Sequence, residues 1–230
     1  MQFSPDNPLN GLVKRWRRQR RRRLVGRAYD MALEVARVVP RHTRLLDVGC
    51  GNGFIAHHLS ALLDETVVGI DLGLTTAAPI EYIPFDGRHI PVEGAAFDGV
   101  LLCYVLHHTQ DLLQILNEVH RVLRQDGLII IFEDVPKTLW DRIVCWMHDR
   151  KWRARTGPCT FYRHENWTTV FEAGGFEVLS QRPLSRWRNL VHPVSRRFYL
   201  LRSNSHSHAY AGANCVISPG LRNILLTSPR

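Results

Sequence analysis

From residue 44 onward the chain alternates short apolar runs with amphipathic stretches. The runs at 45–48, 66–70, 80–83, 100–105 and 128–132 are apolar at most positions, as strands buried on both faces are. Between them, 54–63 and 111–123 repeat apolar side chains every three or four positions and read as helices. Strands of this kind alternating with helices imply a parallel sheet covered on both sides. The pattern then loosens. Residues 138–152 read as a helix carrying Trp140, Trp146 and Trp152, and 163–173 as another, ended by Gly174 and Gly175. Two final strands follow at 176–184 and 197–202, a hairpin with a long loop around Pro193. Ahead of residue 44, 28–39 reads as a helix through Met31, Ala32, Val35 and Val38, stopped by Pro40. Residues 1–13 read as irregular, although Leu9, Leu12, Val13 and Trp16 fall near helical spacing. The stretch 203–230 is polar and offers little to bury, so it reads as a loose tail. No segment repeats another.

Composition narrows the class. With 230 residues, 45% hydrophobic and 22% charged, the chain suits one sizeable folded domain with appendages, and disorder throughout is excluded. No apolar run approaches the ~18–20 residues that span a bilayer. The segment after the basic run already carries Arg27 and Asp30, where a signal peptide needs an uncharged apolar core. Five cysteines without a CxxC pair fit free thiols in a reducing compartment. The expectation is a cytoplasmic protein, peripheral to a membrane at most.

Charge is segregated. Residues 14–27 hold nine basic side chains and no acid, and 178–230 hold eight arginines and no acid. The stretch 28–177 is left with 13 basic against 20 acidic residues. An acidic body with basic ends meets an anionic partner at those ends. Leu9, Leu12, Val13, Trp16 and Leu24 interleave the basic run, which suits an amphipathic helix on an anionic membrane surface. RNA is the weaker rival partner, since no RNA-binding motif accompanies the arginines. The division expected is a basic arm at 1–27, a domain at 28–202 and a tail at 203–230.

The sharpest motif is Leu45-Leu46-Asp47-Val48-Gly49-Cys50-Gly51-Asn52-Gly53, a strand that turns through glycines into a helix. Glycines permit the tight turn and let a ligand approach bare backbone at a helix N-terminus. A dinucleotide fingerprint needs a small residue where Phe54 stands, and a P-loop needs Gly-Lys-Ser/Thr, which is absent. Asp47 would repel a pyrophosphate and suits a ligand carrying an ammonium group.

Asp47-Val48-Gly49-Cys50-Gly51-Asn52-Gly53 resembles motif I of the class I S-adenosylmethionine-dependent methyltransferases. Further markers follow in order: Ile70-Asp71, Pro84-Phe85-Asp86-Gly87, Ile90-Pro91-Val92 with Phe97-Asp98, Leu102–His108 and Arg121–Gly127. Together they resemble the methyltransferase type 11 group. The resemblance implies a Rossmann-like α/β fold, a seven-stranded and mostly parallel sheet with helices on both faces. It also implies S-adenosylmethionine as cofactor. Asp47, Gly49, Cys50, Gly51, Asn52 and Gly53 would border it, Asp71 with Leu72 would take the ribose, and Asp86 with Gly87 the adenine. The Cys103 carbonyl would face the methionine portion. Only a short connection separates Asp71 from Asp86, so the usual helix there must be reduced or replaced by a loop.

For chemistry, His107 and His108 lie just past a strand's C-terminal end, where ligands sit in open parallel sheets. Asp134 shares that edge, as does its neighbour Glu133. These are the candidate catalytic groups, needed as bases only if the acceptor still holds its proton. Asp98 reads as a structural acid. Cys145-x-x-His148 with Cys159-x4-His164 matches no zinc spacing, and no metal is expected. The resulting expectation is methyl transfer to a small or lipophilic molecule, with 136–164 as wall or lid over the acceptor. The alternatives are an RNA methyltransferase and a cofactor-binding protein without turnover.

Overall fold

The computed structural model describes residues 8–185 and 192–203, with side chains from residue 18 onward except at 20 and 21. Residues 204–230 of the expected tail, with His206 and His208, lie outside the described residues, as do the side chains of Leu9, Leu12, Val13 and Trp16.

The chain opens with a single helix, α1, Pro8–Ala36. This corrects two expectations: residues 8–13 are helical, and the helix does not begin at 28. Arginine, lysine, leucine and glutamine are all good helix formers, so a run dense in them continues the turn as well as an apolar one. The boundary expected at 27/28 therefore falls inside α1. Among the described residues, its last turns are the buried part, through Ala28, Ala32 and Val35, with Val39 just beyond.

Strand β1 (Leu45–Val48) leads into α2 (Phe54–Leu63), and β2 (Val68–Asp71) into β3 (Glu81–Pro84). No helix joins β2 to β3, as the short spacing requires. The loop instead bonds to the glycine turn, with the Ala78 N–H donating to the Asn52 carbonyl at 3.0 Å. Strand β4 (Phe97–Cys103) is followed by a 3-10 turn (Leu106–His108), α3 (Leu112–Val122) and β5 (Leu123–Asp134). Asp98 accepts from the Arg44 N–H and from Arg124, which makes it structural, as read. Then come α4 (Leu139–Thr156), α5 (His164–Ala173), β6 (Phe176–Leu184) and β7 (Arg196–Ser203).

The seven strands form one sheet in the order β3-β2-β1-β4-β5-β7-β6. All neighbours are parallel except β7, which is antiparallel to both β5 and β6. This is the Rossmann-like class I architecture. Both sheet faces are covered: Ala56, Leu59 and Leu63 of α2 pack on one, Ile115, Leu116 and Val119 of α3 on the other. Each large aliphatic side chain so buried contributes about 1.5–3 kcal/mol. The chain winds outward from β1 to β3 and then crosses back to β4, so the strand order reverses beside β1. Such a switch point leaves a crevice at the strands' C-terminal ends, where open α/β sheets bind ligands. Among the described residues, no helix is long and apolar enough to cross a membrane.

Candidate active site

The crevice is built around the turn between β1 and α2. Gly49, Gly51 and Gly53 all have positive φ, at 72°, 56° and 74°. They do different work. A Cβ on Gly49 would lie 2.4 Å from Val105, and one on Gly53 would lie 2.5 Å from the Thr76 hydroxyl. A Cβ on Gly51 would meet nothing within 4 Å. Gly49 and Gly53 thus let the protein pack on itself, whereas Gly51 leaves bare backbone facing the open cleft.

That cleft has a volume of about 800 Å³. Gly49, Gly51, Asn52, Asp71, Leu72, Asp86, Gly87 and His108 line it, which gathers eight of the expected site residues from four separate segments. Asp71, at the end of β2, accepts the Gly51 N–H at 2.8 Å. Its other oxygen lies 4.0 Å from the Arg155 guanidinium of α4. Asp86 is tied to its own loop: one oxygen accepts the Arg88 and His89 N–H groups at 2.7 and 2.8 Å. Those backbone bonds hold its pKa below the ordinary carboxylate range. Leu72 and Phe85 give this end of the cleft apolar surface.

Asp47 sits behind the turn, 1% exposed, and neither carboxylate oxygen has a hydrogen-bond partner. Burial, with Asp71 adding repulsion, pushes its pKa up to about 8. A buried carboxylate left unpaired costs free energy that a cationic ligand group would offset. Together with the space in front of Gly51, this fits S-adenosylmethionine: Asp47 would answer the ammonium, and Asp71 the ribose hydroxyls. Cys50 and Cys103 are thiols whose pKa values burial raises, so they stay protonated and unreactive.

The candidate catalytic groups divide. His107 is 1% exposed and its Nδ1 bonds the Glu133 carboxylate at 2.7 Å. Burial lowers its pKa, but Glu133 outweighs that and the net direction is upward. Asp134 is also buried, held at 2.9 Å by Arg196 and at 2.7 Å by His192. Despite burial, those partners keep its pKa low. Neither residue lines the cleft. His108 does, and burial with the neighbouring His107 and His148 drives its pKa down to about 3. It is neutral at pH 7 and a poor proton acceptor, so none of the three is poised as a general base.

Sequence reasoning expected a wall or lid at 136–164, which contains α4, but did not specify which of its residues would border the cleft. His148, Trp152, Arg155 and Thr156 fall at helical spacing on one face, and the last three line the cleft. That periodicity was the available signal. Gln110 fixes the end of α4 over the strand ends, donating to the Thr156 carbonyl at 2.8 Å. A second, mainly apolar chamber of about 260 Å³, with Arg27, Asp30 and Arg196 at its border, also went unread. Leu24 and Met31 of α1 face Phe54, Tyr104, Phe132 and Leu184 across it, and Asn52 borders both spaces.

Asp71→Ala should weaken cofactor binding by roughly 1.5–3 kcal/mol, the range for losing a hydrogen bond to a charged group. Asp86→Ala should cost less, because its carboxylate already serves the loop backbone. Calorimetric titration of both variants checks this, and equal large losses would contradict the ranking.

Residues 46–131 match the family described as methyltransferase domain, type 11. The chain is 33% identical over 111 residues to the mitochondrial arginine-hydroxylase NDUFAF5 of Danio rerio, covering 45% of this chain and 34% of that protein. It is 32% identical over 113 residues to the demethylmenaquinone methyltransferase of Staphylococcus aureus, covering 44% and 47%. The chain thus spans less than half the length of these relatives. Among solved structures it resembles the cyclase SpnF, with a TM-score of 0.62 at 18% identity over 76% of this chain and 81% of the other. Within residues 46–131 the motifs and the strand order agree with the family match, so this part of the chain is a class I S-adenosylmethionine-dependent methyltransferase domain of the type 11 group.

Proposed function

We propose that this chain transfers the methyl group of S-adenosylmethionine to a small or lipophilic molecule. The observation that carries the reading is the apolar chamber beside the glycine turn, sharing Asn52 with the cofactor cleft. Bound S-adenosylmethionine supplies a methyl group on positively charged sulfur, already activated for in-line displacement. The residues here position and enclose: Asp47 pairs the ammonium, Asp71 the ribose, and Leu24, Met31, Phe54 and Phe132 exclude water from the acceptor. Relatives on this fold include a hydroxylase and a cyclase, so the fold alone does not decide the chemistry. Incubation with methyl-labelled S-adenosylmethionine and fractionated small-molecule and lipid extracts tests the proposal. Label is expected in an organic-soluble product. Label in RNA alone, or none in any fraction, overturns it.

A lipophilic acceptor is reached at a membrane surface, and α4 supports that setting. Leu139, Trp140, Ile143, Trp146 and Met147 are all exposed, with Arg150 stacked over the Trp146 ring. Aromatic and basic side chains so combined suit an interface of anionic lipid. The basic run of α1 adds positive charge to the same molecule. Trp140→Ala with Trp146→Ala, or deletion of 1–23, is expected to weaken sedimentation with anionic vesicles while leaving cofactor affinity intact. Unchanged sedimentation, or tight RNA binding by a protein that ignores vesicles, would reject the membrane setting.

A further inference from the structure

Two adjacent histidines and a third 40 positions further on converge beside the cleft. One ligand nitrogen from each of His107, His108 and His148 lies within 4.8 Å of the other two. The Nε2 atoms of His108 and His148 are 3.2 Å apart. Ligand nitrogens of a tetrahedral zinc ion, with Zn–N of about 2.05 Å, stand roughly 3.3 Å apart. We propose that His107, His108 and His148 form a binding site for a divalent transition metal of the zinc class, bordering the cofactor cleft.

A bland alternative is a hydrogen-bonded pair, His108 to His148, with His107 as a bystander. It leaves one atom unexplained. The His107 Nε2 is buried and has no hydrogen-bond partner, in a residue 1% exposed. Whether that nitrogen carries a proton or a lone pair, the protein itself provides nothing for it. A metal ion accounts for it directly. The opposite nitrogen, Nδ1, is bonded to Glu133, so Nδ1–H donates and, in the neutral ring a metal ligand requires, the Nε2 lone pair faces its neighbours. A carboxylate behind a histidine in this way is the usual outer partner of a metal ligand, fixing its tautomer and ring orientation. His108 is braced similarly, its Nδ1 lying 3.1 Å from the Thr156 hydroxyl and 3.2 Å from the Cys159 thiol.

The electrostatics agree. Glu133 and Asp134 are both buried, and Arg196 pairs with Asp134, leaving Glu133 facing imidazole. A divalent cation on the far nitrogen of His107 would offset that charge. Imidazole ligands suit zinc, copper, iron or nickel rather than magnesium or calcium. Three protein nitrogens leave a fourth position, the arrangement of catalytic rather than closed structural sites, and His108 borders the cleft. The spacing of Cys145, His148, Cys159 and His164 concealed this set, because only His148 belongs to it.

The test uses the full chain, freed of any histidine tag and treated with chelator, titrated with Zn2+ against a chromophoric competitor. One equivalent is expected to bind. His108→Ala and His148→Ala should each weaken that affinity at least tenfold, and Glu133→Gln by about 10–100-fold. His57→Ala, exposed on α2, should bind as the parent does. Melting curves establish that each variant folds. Should one fail, the imidazole resonances of the parent decide, and all three rings are expected to shift with Zn2+. Failure to bind stoichiometrically, parental affinity in both alanine variants, or unmoved ring signals each overturns the site. Thermal shift with S-adenosylmethionine runs in parallel. Zinc bound without cofactor would reject the proposed function and leave the metal site standing, and the reverse result would do the opposite.

Discussion

Gly51→Val is expected to abolish S-adenosylmethionine binding, read as complete loss of the ligand-induced rise in melting temperature. Two effects act together. At φ 56° a β-branched residue sits in a region costing about 1–3 kcal/mol. Its methyl groups would also fill the space into which a Cβ now meets nothing within 4 Å. In the parent, cofactor at a hundred times its Kd should stabilise the fold by about 2.7 kcal/mol. Gly26→Ala serves as the control. It lies in α1 with open space around its Cβ, so it should keep the full shift and add roughly 0.5–1 kcal/mol of stability. A Gly51→Val protein that still shows the parental shift would mean the ligand approaches elsewhere.

Cofactor affinity should climb steeply between pH 6 and 8, and Asp47 is the reason. Its carboxyl is held at about 8 in the folded protein, against about 3.9 in an unfolded chain. The folded state therefore binds this proton more tightly than the unfolded state does. For this group alone, stability of the ligand-free protein is highest below about pH 4 and is lost as pH rises toward 8. Pairing with an ammonium requires the ionised form, so binding must drive the proton off. Affinity should rise about tenfold per pH unit up to about 8, then fall as the ligand's amine, itself near 8, loses its charge. Calorimetry at pH 7 in buffers of different ionisation heat should show close to one proton released per cofactor bound. Asp47→Asn should flatten the rise and remove the proton release. A flat profile in the parent would show that Asp47 is already ionised or does not meet the ammonium.

The strands and the turn could be read from local sequence. Leu45, Leu46 and Val48 are buried on both faces, so continuous apolar runs marked the parallel strands without reference to anything distant. Glycines at 49, 51 and 53 were legible because a left-handed backbone excludes most side chains, which is a local fact. Asp71 was legible as a strand-end acid for the same reason. The length of α1 was not, because its dense basic run interrupts the apolar repeat and reads as helix only through the propensity of its residues.

Which glycine faces the cleft depends on packing between distant segments. Gly49 is crowded by Val105 and Gly53 by Thr76, residues whose approach no local pattern encodes. That packing also retired Asp134 and His107 as free bases, because Arg196, His192 and Glu133 reach them across the sheet from elsewhere in the chain. The histidine cluster has the same origin. His148 stands 40 positions from His108, and only the packing of α4 over the ends of β4 and β5 brings their nitrogens together. Strand periodicity follows from neighbours along the chain, whereas a constellation of titratable groups follows from distances through space, which depend on the whole packed sheet.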